Sequence, residues 1–137
     1  MSYAKPLPVA DVETQPFWQA CRDGKLMLPR CTNCGHCRFP PTFYCAKCNS
    51  AEHEWIESTG RGRVFSWIVV RHPVPREVYA TDVPYVVSLI DLDEGVRIVS
   101  NIVSVEPEKV TAGMPVRVIF RTVTPEITLP LFEPAWQ

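Results

Sequence analysis

The chain has 137 residues, with 14 lysines and arginines against 15 acidic side chains and a net charge of −1 at pH 7. That length suits one domain with a small appendage, and the near-neutral balance leaves no basic footprint for a nucleic-acid binder. Apolar residues at 46% and charged residues at 21% describe an ordinary globule, no apolar run nears the ~20 residues of a membrane span, and no leader pattern opens the chain, so a soluble cytoplasmic protein is expected.

The segment from Thr14 to Asp23 has the grammar of a short helix, with Thr14 as N-cap, Pro16 in the first turn and Gly24 as the stop. Phe17 and Cys21, four residues apart, share a face, with Trp18 beside them. So short a helix is marginal alone. Phe17 and Trp18 are therefore expected to pack on the rest of the chain or to grip a partner.

Next come Cys31-x-x-Cys34 and Cys45-x-x-Cys48, after a lead-in strand at Lys25–Leu28. Each two-residue spacing lets both sulfurs converge on one ion, and Gly35 and Asn49 follow the pairs where a left-handed turn is needed. Four thiolates close the coordination sphere of a zinc ion, so the site is read as structural, and metal binding and ribbon folding are one event. A rubredoxin-type iron would use the same ligands. Disulfides would suit a secreted mini-protein, but no leader pattern opens the chain and 137 residues can bury a core without staples. Cys31, Cys34 and Cys37 also spell CxxCxxC, but Phe39-Pro40-Pro41 interrupts the continuation of an iron–sulfur run, so Cys37 is read as a spare thiol. His36 and His53 are read as solvated loop histidines.

From Ser58 onward the pattern turns to period-two alternation. In Val64–Arg71, Phe65, Trp67 and Val69 are expected on one face and Val64, Ser66, Ile68 and Val70 on the other. Tyr85–Leu92 and Val96–Val103 read as a hairpin turned at Asp93-Glu94-Gly95. Pro107–Gly113 is a connecting turn, Met114–Arg121 alternates again, and Ile127–Phe132 adds a closing strand. Five short strands, with Gly60 and Gly62 where the first must bend, predict a small closed barrel of the OB type. The fold is thus mainly β: an N-terminal helical arm (1–25), a ribbon (26–57) and a barrel with a C-terminal tail (58–137). The 14 prolines gather at segment joints, as loop stiffeners and strand ends.

The succession Pro16-Phe17-Trp18, Gly24-Lys25-Leu26, Cys31-x-x-Cys34-Gly35, Pro40-Pro41, Cys45-x-x-Cys48, Gly60-Arg61-Gly62, Pro84-Tyr85, Asp93-Glu94-Gly95, Gly113-Met114 and Leu129–Phe132 resembles the zinc-ribbon OB-fold family associated with acyl-CoA metabolism, long catalogued as a domain of unknown function. The likeness covers nearly the whole chain. It implies a helical arm, a rubredoxin-like zinc ribbon with one structural zinc, and an OB barrel. It also implies a small non-catalytic subunit that associates with a thiolase-superfamily enzyme, such as a thiolase, acyltransferase or retro-aldolase, or in some cases with a hydratase subunit. Such subunits help to shape the acyl-CoA passage, while the catalytic side chains sit on the partner.

The residues agree with that implication. A self-sufficient enzyme needs a nucleophile with a base, a carboxylate pair, or a metal with an open position. Cys21 and Cys37 lack an activating context, and Asp91, Asp93 and Glu94 read as a solvated turn. Coenzyme A carries phosphates and an adenine, so a surface facing it wants cations beside an apolar floor. Arg61, Arg63, Trp67, Arg71, His72 and Arg97 are the candidates for acyl-CoA contact. Phe17, Trp18, Phe132 and Trp136 are the candidates for partner contact, the last two from an apolar tail that ends in tryptophan. The competing class is a single-stranded nucleic-acid binder that stacks bases on Phe65 and Trp67. The low positive charge weighs against it.

Overall fold

The computed structural model describes residues 3–136, so Gln137 and the first two residues of the arm fall outside the described part. The elements in chain order are α1 (Gln15–Arg22), β1 (Met27–Cys31), β2 (His53–Glu57), β3 (Arg61–Val70), α2 (Arg76–Tyr79), β4 (Tyr85–Leu92), β5 (Arg97–Ile102), β6 (Pro115–Thr122) and β7 (Thr128–Pro134), with a 3-10 turn at Pro107–Lys109. No helix is long and apolar enough to cross a membrane among the described residues.

Helix α1 starts where the sequence places it, with Thr14 at the N-cap, but without the expected side-chain bond. Instead the Asp11 carboxylate accepts from the N–H groups of Glu13 and Thr14 and from the Thr14 hydroxyl. The Thr14 hydroxyl accepts in turn from the Asp11 N–H at 3.0 Å, and the bonds to the Asp11 carboxylate, that from the Thr14 N–H first, hold its carboxyl below its usual range. The stop is as expected: the Lys25 N–H bonds the Ala20 carbonyl and the Gly24 N–H that of Cys21. Residues 3–10 precede the helix without regular structure, and Lys5 anchors them to the barrel through Asp82 at 2.7 Å.

Strands β1 and β2 form a two-stranded antiparallel sheet running from Met27 opposite Glu57 to Cys31 opposite His53. The sequence reading places no strand at His53–Glu57, whose burial does not alternate strictly. Strands β3 to β7 close a barrel in the order β3-β4-β5-β7-β6. Every pairing is antiparallel except β5 with β7, which meet at Ile102 and Phe132. This is the connectivity of an OB barrel, with β3 bonded both to β4 and, over Arg61–Arg63, to β6.

Two glycines allow that closure. A Cβ on Gly62 would lie 2.6 Å from the Asp91 carbonyl oxygen, and one on Gly60, already at φ +76°, would lie 2.5 Å from a Val118 methyl carbon. Both would force neighbouring strands apart.

Strand β4 follows strict alternation, with Val86, Ser88, Ile90 and Leu92 buried. Strand β3 does not. A β-bulge between Val64 and Ser66 inserts Phe65 as an extra residue, and the extra residue reverses the phase of everything after it. Val64 points inward, Phe65 outward, and Trp67 and Val69 pack against the core from the opposite parity. The expected common face of Phe65 and Trp67 therefore does not exist.

The core is continuous. Phe132, Ile90, Ile98, Val86 and Val116 fill the barrel, and the same cluster includes Leu26 and Leu28 of the ribbon and Phe17 and Cys21 of α1. Phe17 packs on Trp18 and on Phe39 with ring centroids 5.1 and 5.3 Å apart. The helix is docked within its own chain, as a marginal helix requires.

Candidate functional site

The metal-ligating residues converge from two similar turns. The Gly35 N–H donates to the Cys31 carbonyl at 2.8 Å and the Asn49 N–H to the Cys45 carbonyl at 2.7 Å. Gly35 and Asn49 take φ values of +80° and 65°, the left-handed geometry that turns each second cysteine back toward the first. The Sγ atoms of Cys31 and Cys48 lie 3.5 Å apart and those of Cys34 and Cys45 3.6 Å apart. All four sulfurs lie within 4.8 Å of one another. Zinc–sulfur bonds of ~2.3 Å in tetrahedral array require sulfurs about 3.8 Å apart, so the four thiolates fit a zinc ion with little adjustment.

The surroundings favour thiolate. The Asn33 side-chain amide, 3.4 Å from Cys48 Sγ, and then the Ser50 N–H bring the Cys48 thiol down to about 6. The N–H groups of Cys48 and Lys47 lower Cys45. At Cys34 the His36 N–H acts downward, but desolvation and three neighbouring sulfurs outweigh it and push the thiol up to about 11. Four sulfurs this close cannot all hold negative charge without a cation between them. With zinc bound by all four, no position is left for water or substrate, and the ion's contribution is to hold the ribbon together.

The other thiols stand apart. Cys21 is fully buried, its thiol pushed up to about 12 by burial, and Cys37 is buried and likewise raised. Neither offers a reactive thiolate. Sequence reading missed Arg38, which is only 5% exposed. Its Nε and Nη2 donate to the Thr42 carbonyl at 2.9 and 2.8 Å, bracing the loop between the two cysteine pairs, and its Nη1 has no protein partner. Arginine in a loop carries no periodic signal that would mark it as buried.

The six residues expected to touch acyl-CoA are not one site. Arg61, Arg63 and Arg97 lie on the outer face of the barrel, where the Arg97 guanidinium sits 3.5 Å above the Phe65 ring and its Nε donates to Asp91 at 2.6 Å. Trp67 faces the core. Arg71 and His72 lie beyond the other end of β3, with Arg71 paired to Glu108 at 3.1 Å. The bulge and the ten-residue length of β3 account for the separation.

Two of the four expected partner contacts also change. Phe17 is 3% exposed and Phe132 is fully buried, so both are core side chains of this chain, drawn inside because the helix and β7 flank the shared core. Trp18 is half-buried on Phe17. Trp136 alone is open, 62% exposed, just after the Ala135 N–H bonds the Pro115 carbonyl. The acidic hairpin is the surface turn that was expected, with Asp93 exposed, and it is also bonded: Asp91 to Arg97, and Glu94 to Ser58 and Thr59.

Comparison with known proteins fits this arrangement. Residues 18–54 match the family described as the rubredoxin-like zinc ribbon domain of ChsH2, and residues 55–121 match the C-terminal OB-fold domain of ChsH2. A solved structure described as Ltp2-ChsH2(DUF35) aldolase superposes with a TM-score of 0.85 at 38% identity, covering 95% of this chain and all of that one. A DUF35 domain-containing scaffold protein of Pyrococcus furiosus is 31% identical over 82% of this chain and 81% of its own length. A probable enoyl-CoA hydratase alpha subunit of Thermomonospora curvata is 37% identical over 96% of this chain, which spans only 40% of that longer protein. From four-cysteine ribbon to OB barrel, in one order along nearly the whole length, the chain belongs to the ChsH2/DUF35 family of zinc-ribbon OB-fold proteins.

Proposed function

We propose that this chain is a non-catalytic accessory subunit of an acyl-CoA-processing enzyme, stabilising a larger catalytic chain and helping to complete the entrance to its acyl-CoA site. The observation that carries the reading is the closed Cys31–Cys34–Cys45–Cys48 set: the metal this chain is built to hold has its coordination filled by protein. None of its cysteines is in a disulfide, which suits a reducing compartment such as the cytoplasm.

The names of the relatives supply the partner class. One is described as an aldolase assembly with Ltp2 and another as a hydratase alpha subunit, so the partner proposed here handles acyl-CoA by carbon–carbon cleavage or by hydration. A thiolase-like fold for that partner is the finer proposal. In this reading the acyl-CoA is shared in the complex and lies on the partner. The rival nucleic-acid reading loses its stacking pair, because Phe65 and Trp67 lie on opposite faces of β3.

The test is to assay acyl-CoA turnover by the enzyme chain that copurifies with this one, alone and after recombination. Turnover that needs both chains, with none by this chain alone, supports the proposal. Turnover by this chain alone contradicts it.

A further inference from the structure

Outer faces of barrel strands are normally polar, and part of this one is apolar. By register Ser66 lies opposite Leu89, Leu89 opposite Val99, and Ile68 opposite Val87, placing Ile68, Val87, Leu89 and Val99 together across three strands beside Ser66. Ile68 and Val99 are 62% and 61% exposed. Ser66, Ile68, Val87, Leu89 and Val99 are among the residues that line a shallow depression of about 200 Å³. Pockets for small ligands run to about 300–1,000 Å³. This one is too small for an acyl-CoA and suits an apolar side chain inserted from a protein surface, the usual form of an interface anchor.

The margin of the patch has a definite charge. Arg61 lies directly opposite Arg117, and Arg63 lies between Pro115 of β6 and Asp91 of β4, whose carboxylate is taken by Arg97. Arg97 and Arg117 are paired, with Asp91 and Glu133. Arg61 and Arg63 have no carboxylate partner among the described residues; Arg63 donates only to the Gly113 carbonyl. Two like charges directly across a strand pair are unfavourable in the isolated chain, so the face is complementary to carboxylates. A second copy of this chain would oppose arginine to arginine. A nucleobase would find one side of Phe65 already occupied by Arg97.

Resting on the accessory-subunit reading, we propose that the outer face of β3, β4 and β5 is where the partner enzyme subunit docks. It inserts an apolar side chain between Ile68 and Val99 and sets carboxylates against Arg61 and Arg63.

The test uses the full chain and the enzyme subunit that copurifies with it, recombined without acyl-CoA and followed by isothermal titration. Ile68→Asp and, separately, Val99→Asp are expected to weaken association at least ~30-fold. Arg61→Glu is expected to weaken it by about 10-fold and to flatten its salt dependence. Val9→Asp, at a position 89% exposed and outside the face, is expected to leave association within about twofold. Zinc content and circular dichroism report whether each variant is folded; the two exposed aspartate positions give independent readings. An enzyme subunit that binds both aspartate variants as tightly as wild type overturns the docking face and leaves the accessory reading standing. Failure of any enzyme subunit to copurify overturns both. Displacement of the subunit by a single-stranded oligonucleotide that depends on Arg61 and Arg63 also overturns the proposal, in favour of a nucleic-acid surface.

Discussion

Glu94, in the turn between β4 and β5, accepts a hydrogen bond from the Ser58 hydroxyl at 2.6 Å, fastening the barrel to the segment that leaves the ribbon. The same carboxylate accepts from the Thr59 N–H at 2.9 Å, while the Ser58 N–H reaches the Leu26 carbonyl and the Ser58 hydroxyl oxygen accepts from the Gly60 N–H. The join between ribbon and barrel is therefore a bonded corner. Glu94→Ala leaves the buried Ser58 hydroxyl and a backbone N–H short of an acceptor, at a cost of about 1–3 kcal/mol. Denaturant unfolding measures the loss, and amide exchange at 58–60 is expected to rise. Unchanged exchange there would show that the corner is held by something else.

Phe132 and Trp136, four residues apart in the tail, respond oppositely. Phe132 is fully buried, so Phe132→Ala is expected to cost about 3–5 kcal/mol of stability. Trp136→Ala is expected to stay within about 0.5 kcal/mol. Thermal unfolding of the two variants separates them, and a destabilised Trp136→Ala would contradict the exposed placement.

The zinc site carries a pH dependence whose sign follows from Cys48. Its thiol is lowered from 9.0 to about 6, first by the Asn33 amide. A depressed acid contributes its full stabilisation above the unfolded value and loses it as pH falls through the folded one. Metal retention therefore weakens toward acid as protons compete for the sulfurs. Asn33→Ala removes the main downward cause, so the proton competes at higher pH and the midpoint of zinc release moves up. A chromophoric chelator followed from pH 8 to pH 4 reads the midpoint directly. A midpoint equal to that of the wild type would remove Asn33 from the account.

Gly62 is required by approach. Gly62→Ala drives a methyl group onto the Asp91 carbonyl at the seam where β3 meets both neighbours. The expected loss is about 1–3 kcal/mol, measured by denaturant midpoint, with zinc content unchanged because the ribbon lies elsewhere.

Much of this fold is legible in the sequence because its signals are local. The two CxxC turns, the Asp93-Glu94-Gly95 hairpin and the alternation of β4 each depend on neighbours a few residues away, and all are present. What was not legible depends on one inserted residue or on distant partners. The bulge at Phe65 leaves composition and apparent alternation untouched, yet it sends Phe65 and Trp67 to opposite sides. The Thr14 hydroxyl bonds Asp11 in the preceding turn and no helix N–H, a pairing that the cap signal does not show. Phe17 and Phe132 looked available because an apolar residue in a short helix or tail carries no mark of which surface covers it. Glu94 and Arg38 draw their partners from beyond the local pattern or from loop carbonyls, where periodicity gives no information.

The most direct test of the accessory role is native mass spectrometry of the assembly that this chain forms when purified from its own cells without chelator. The account predicts an acyl-CoA enzyme chain in fixed ratio with this one, and one zinc per copy of this chain. A zinc-bearing chain recovered alone, or bound to nucleic acid in place of an enzyme, would contradict it.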